Sequence, residues 1–65
     1  MAPRETELEM ASRHVAEQVI RIARQEALIE RLQDMGVPTG DALELLYEMQ
    51  SFLEDMRAHV GRISK

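Results

Sequence analysis

The sequence predicts an all-α chain, an antiparallel two-helix hairpin that dimerises into a four-helix bundle. Three observations carry this expectation. Apolar residues recur with a helical period on both sides of a single interruption near residue 37. The helix breakers cluster: Gly36, Pro38 and Gly40 share one stretch, RLQDMGVPTGDALELL, in a chain of 65 residues with two prolines and three glycines. Each apolar face is also too broad for one facing helix to cover.

Composition sets the outer bounds. One Tyr, one Phe and no Trp leave few of the residues that favour strands. Residues 1–65 make a single domain, near the lower size limit for folding without staples. With no cysteine there is no disulfide framework and no thiolate metal site. No apolar run approaches the roughly 18 residues of a membrane span, and no signal-peptide core is expected behind Met1. A soluble cytoplasmic protein without a membrane partner is the expectation. The formal charge of −4 argues against nucleic acid as a partner.

The spacing predicts a first helix over about 5–35. Leu8, Val15, Ile22 and Ile29 are seven apart, and Ala11, Gln18, Gln25 and Leu32 follow them by three, as a and d positions of a heptad. Val19 and the stripe Ala16, Ile20, Ala23 and Ala27 widen the apolar surface, and the alanines let another helix approach closely. Gln18 and Gln25 at d have two readings. They are partly wet amides at the edge of the seam, or a buried pair that fixes register or partner.

A turn is predicted over 36–39. Gly36 suits the left-handed position that ends many helices, and Val37, preceding Pro38, is pushed out of helical conformation. Thr39 is the expected N-cap with Asp41 in the first turn; Asp41 capping with Glu44 is the competing frame. The second helix, about 40–62, carries the seam Ala42, Leu46, Met49, Leu53, Met56, Val60 and Ile63, with Leu45 and Phe52 beside it. One hairpin leaves such faces wet. Pairing of two hairpins is the simplest remedy. The expected dimer interface is Leu45, Leu46, Met49, Phe52, Leu53 and Met56 of the second helix with Val15, Ile22 and Ile29 of the first.

Charge supports the antiparallel pairing. Residues 34–56 include Asp34, Asp41, Glu44, Glu48, Glu54 and Asp55 and no basic residue, whereas the first helix carries Arg13, Arg21, Arg24 and Arg31. Folding about position 37 or 38 is expected to bring Arg31 near Glu44 and Arg21 near Glu54. The basic ending Arg57, Arg62 and Lys65 would then face Glu5, Glu7 and Glu9. Surface pairs contribute roughly 0–1 kcal/mol each, so they select orientation more than they stabilise.

Little in the chain suggests chemistry. His14 and His59 fall toward the open end with Glu17 and Asp55 one turn away, but the paired Glu-x-x-His motifs of di-iron bundles are absent, and Arg13 and Arg57 disfavour a cation. No metal and no cofactor are therefore expected. Ser12, Ser51 and Ser64 lack a base and an orienting group, and GVPTG follows a helix and lacks the phosphate-loop lysine. Tyr47 reads as half-buried, and Met35, Met49 and Met56 as core filler. Arg13, Arg21, Arg24 and Arg31 form the one candidate nucleic-acid contact, interrupted by Glu17 and Glu30, with no aromatic residue to stack on a base.

Three resemblances follow from these stretches. RHVAEQVIRIARQEALIERL and ALELLYEMQSFLEDMRAHVGRI resemble short bacterial helical-hairpin proteins that bring no known activity with them; the likeness covers residues 13–63. In length and topology the chain is similar to the Rop family, whose hairpins dimerise into a four-helix bundle that binds paired RNA loops. GVPTGDALELLYEMQ faintly resembles the sporulation-type aspartyl-phosphate phosphatases, also helical hairpins. Their Ser-Gln-Glu-Leu-Asp signature falls on Leu46, Tyr47, Glu48, Met49 and Gln50, without its serine and its aspartate. That resemblance implies docking to a signalling protein.

The functional expectation is a non-enzymatic interaction protein, a homodimeric hairpin acting as adaptor or small regulator, with an unknown protein partner. The alternatives are an RNA- or DNA-binding regulator working through the arginine stripe, and a response-regulator-binding, phosphatase-like module lacking the catalytic signature.

Overall fold

A computed structural model describes residues 4–64, and in it two α-helices, α1 (Glu7–Asp34) and α2 (Gly40–Ile63), pack against each other. Lys65, part of the expected basic ending, lies outside the described residues.

Helix α1 begins at a complete capping box. The Glu9 amide donates to Thr6 Oγ1 at 3.0 Å, and the Thr6 amide donates back to Glu9 Oε1 at 3.3 Å. Two of the orphan amides of the first turn are satisfied by this exchange. Glu7 and Glu9 at the start and Arg31 in the last turn complement the helix dipole.

The helix ends as its glycine demands. Gly36 has φ +70, the Gly36 amide donates to the Gln33 carbonyl at 3.1 Å, and the Val37 amide donates to the Leu32 carbonyl at 2.9 Å. This is a Schellman motif, with Gly36 in the left-handed position that an L side chain occupies only with strain. Thr39 stands at the N-cap of α2 as expected, but its side chain makes no capping bond. Its backbone (φ −112, ψ 4) is not extended, as a side-chain cap requires.

The heptad reading places the core. Ile22, Ile29 and Leu46 are buried, with Ala42, Leu43, Met49 and Leu53 packed against them. Every seam position of α2, from Ala42 to Ile63, is buried or half-buried. In α1 the exception is Leu8, 40% exposed.

Gln18 is the one buried polar side chain among the described residues. It donates through Nε2 to the Met49 carbonyl at 3.0 Å, and half-buried Gln25 donates to the Ala42 carbonyl at 2.9 Å. Donors and acceptors are both seven residues apart, so the two bonds repeat one register. Neither reading of these amides holds whole: Gln18 is buried and Gln25 half-buried, and each bonds a backbone carbonyl of the facing helix.

These bonds also correct the expected pairing centre. The midpoint of each falls between residues 33 and 34 rather than at 37 or 38. The Schellman turn and the segment through Pro38 return the chain alongside α1, so the last turn of α1 projects past the start of α2. Met35 is consequently 66% exposed instead of filling the core. The expected pairs Arg31–Glu44 and Arg21–Glu54 do not form among the described residues.

The molecule measures 50 × 27 × 12 Å, so its thin dimension is that of one helix. Stable domains ordinarily bury their apolar faces between two layers. This hairpin is one.

Candidate interaction surface

The two flanks of the hairpin differ in what they show. On one, α1 contributes Leu28, His14 and Arg21, with Met35 at its C-cap, and α2 contributes Leu45, Phe52 and His59. Met49 and Met56 lie half-buried along its floor. Phe52, Met56 and Gln18 line an open groove with His14, Glu17 and Arg21. Ala11, His14, Asp55, Met56 and His59 line the next groove toward the open end. On the other flank Ser12, Val15, Arg57 and Val60 line a shallow depression, and Glu26, Gln33 and Gln50 are exposed. The first flank is the more apolar: Leu45 is 47% and Phe52 57% exposed.

The residues expected at a dimer interface therefore separate into two groups. Ile22, Ile29 and Leu46 are already buried by the facing helix of their own chain. Val15, Met49, Leu53 and Met56 are half-buried, and Leu45 and Phe52 stand open. Periodicity alone could not separate them, because one broad apolar stripe serves both the intrachain seam and its flank.

The four arginines do not make one free stripe. Arg13 is engaged: Nε donates to Glu5 Oε1 at 2.9 Å and Nη1 to Glu17 Oε1 at 2.7 Å. The bond from Arg13 holds the Glu5 carboxyl below the usual range, and the bonds to Glu5 and then Glu17 raise the Arg13 guanidinium. Arg21 and Arg24 border a depression with Glu17 and Ile20, whereas Arg31 sits farther on with Leu28, Asp34 and Met35.

His14 and His59 do reach a common groove. His59 Nε2 lies 4.0 Å from Glu7 Oε1, the one ionic contact between α1 and α2 among the described residues, and it carries charge only when the imidazole is protonated. No group of three or more His, Asp or Glu side chains among the described residues is placed to hold a metal ion. Tyr47, expected to be half-buried, is 62% exposed. Ser64 donates to the Gly61 carbonyl at 3.3 Å as part of the C-terminal turn of α2.

No helix of the described residues is long and apolar enough to cross a membrane. No family model, curated protein or solved structure matches the chain.

Proposed function

We propose that the protein is a non-enzymatic interaction module that works in the cytoplasm as a homodimeric helical hairpin, an adaptor or small regulator. One observation carries the reading. The chain exposes 5235 Å², about 1,000 Å² more than the roughly 4,200 Å² expected of a compact 7.5 kDa monomer. A standard interface buries about 800 Å² per partner, so the excess is of the size one protein contact consumes. The radius of gyration agrees, at 15.5 Å against about 11 Å for a compact chain of this length.

The remaining features fit binding better than catalysis. All Asp, Glu, His and Arg side chains among the described residues are exposed or half-buried, so none sits in the dry surroundings that tune an acid or base. The stripe Ala16, Ile20, Ala23 and Ala27 is exposed on α1. It faces away from the seam, and an adaptor would offer it to another protein.

The test is the mass in solution. Light scattering coupled to size exclusion should give about twice 7.5 kDa at micromolar concentration. Leu53→Glu, at a seam position packed on the core, should remove helix content and dimer together, because burying a carboxylate there costs several kcal/mol. Phe52→Glu should leave the hairpin's own core intact and remove the dimer. A wild-type chain that is a cooperatively folded monomer under these conditions overturns the reading.

A further inference from the structure

Resting on the homodimer just proposed, we infer which face meets the second copy and in which orientation. The Phe52 flank meets the same flank of another chain about a two-fold axis parallel to the helices. Each α1 then lies across the α2 of the other copy, and both turns sit at one end.

The face is chosen by what it leaves wet. Leu45, Phe52 and Met35 are exposed there, with half-buried Leu28, Met49 and Met56 between them. A second identical layer would cover all of these at once, converting a slab 12 Å thick into the two-layer packing that stable domains adopt.

The orientation is chosen by charge. The α1 half of this flank carries Arg21 beside the groove and Arg24 and Arg31 along the rim, with one carboxylate, Glu17, which Arg13 already engages. The α2 half carries Asp41, Glu48 and Asp55, each one turn from Leu45, Phe52 or His59, and only at its far end a basic residue, Arg62. With the axis parallel to the helices, the basic rim of one copy lies along the acidic rim of the other. Pairing centred between residues 33 and 34 puts Arg21 level with residue 46, and so about 3 Å along the axis from Glu48 of the second copy, within reach of an arginine side chain. With the axis perpendicular to the helices, α1 would stack on α1 and α2 on α2. Arg21, Arg24 and Arg31 would then face the arginines of the other α1, and Asp41, Glu48 and Asp55 the carboxylates of the other α2, with Glu17 and Arg62 the exceptions to the pattern. Like-charge juxtaposition of that kind selects against an arrangement more strongly than exposed pairs reward the alternative.

Arg21 and Glu48 suit a reversal test because both are exposed and neither forms an ion pair within its own chain among the described residues. Arg21→Glu and Glu48→Arg should each weaken dimerisation about tenfold at low salt, with circular dichroism unchanged, and the double variant should recover to within about threefold of wild type. Orientation is read independently with a nitroxide on Gln33→Cys, which is the sole thiol in a chain without cysteine. Turns at one end put the two labels within about 30 Å, whereas opposed turns separate them by about 40 Å or more.

A dimer with the long distance, or one that Arg21→Glu tightens, overturns this orientation while the homodimer stands. A dimer that survives Phe52→Glu overturns the choice of face. A monomeric wild type removes both proposals.

Discussion

From the turn to mid-helix, α1 and α2 are joined by buried Ile22, Ile29 and Leu46 and by the two glutamine bonds to α2 carbonyls. At the open end, Leu8 stays 40% exposed, and Ala11, Val15, Met56 and Val60 are half-buried. The ionic contacts Arg13–Glu5, Arg13–Glu17 and His59–Glu7 all belong to that end. One half is held by burial that salt does not screen; at the other the burial is thinner, and the one ionic contact between the helices among the described residues, His59–Glu7, is exposed to screening. The same heptad pattern runs through both halves, so the difference comes from side-chain size. Ala11 and Val15 bring less apolar surface to the seam than Ile22 and Ile29, and among the described residues no turn joins the helices at that end. Cohesion should therefore fall from the turn toward the open end, where local opening begins.

The largest expected effect is at the turn-side core. Leu46→Ala should cost about 2–4 kcal/mol, a large part of what so small a domain has, whereas Val60→Ala near the open end should cost under about 1 kcal/mol. Both are measured by denaturant unfolding at one fixed protein concentration, because association adds to apparent stability. Equal losses at the two sites would mean that cohesion does not decline along the hairpin.

Much of the hairpin was legible in the sequence, and what was not has identifiable causes. The a and d positions, Gly36 and the length of the connection follow from periodicity and breaker chemistry, which act locally. The destination of the glutamine amides does not, because a d position says that a side chain points inward and nothing about which carbonyl it meets. The Arg31–Glu44 and Arg21–Glu54 pairs fail because the pairing centre depends on how the turn folds back: a centre four residues earlier leaves the two charges of each pair eight residues out of register. The Thr6–Glu9 capping box has a readable signal, Thr-x-x-Glu before the apolar run, whereas Thr39 lacks the extended backbone that its own cap would need. Tyr47 lies one position beyond the seam residue Leu46, where a helix turns outward, so its exposure follows from the same wheel that placed Leu46.

Gly36 tests the turn-side anchor itself. A Cβ built there meets nothing within 4 Å, so the whole cost of substitution is backbone strain at φ +70. Gly36→Val should lose about 1–2 kcal/mol, and Gly36→Asn distinctly less, since Asn tolerates this region. Melting midpoints of the two variants decide it. If valine proves no worse than asparagine, the left-handed geometry does not hold the turn.

The smallest effect belongs to the open end, and its sign with pH is fixed by the Arg13 bond. Glu5 titrates below its ordinary value because the guanidinium of Arg13 donates to it, so folding favours the ionised carboxylate. The stability this contributes is fully present above the pKa of Glu5 in the unfolded chain, and it is lost as pH falls through the lowered folded value. Glu5→Gln removes the contribution. Wild type should therefore melt slightly above the variant near pH 7, and the two curves should converge in acid. Both groups are exposed, so about 1 M salt should also close the gap, while the Leu46→Ala loss persists in the same buffer. A Glu5→Gln difference that survives acid or high salt would show that Glu5 acts through packing rather than charge.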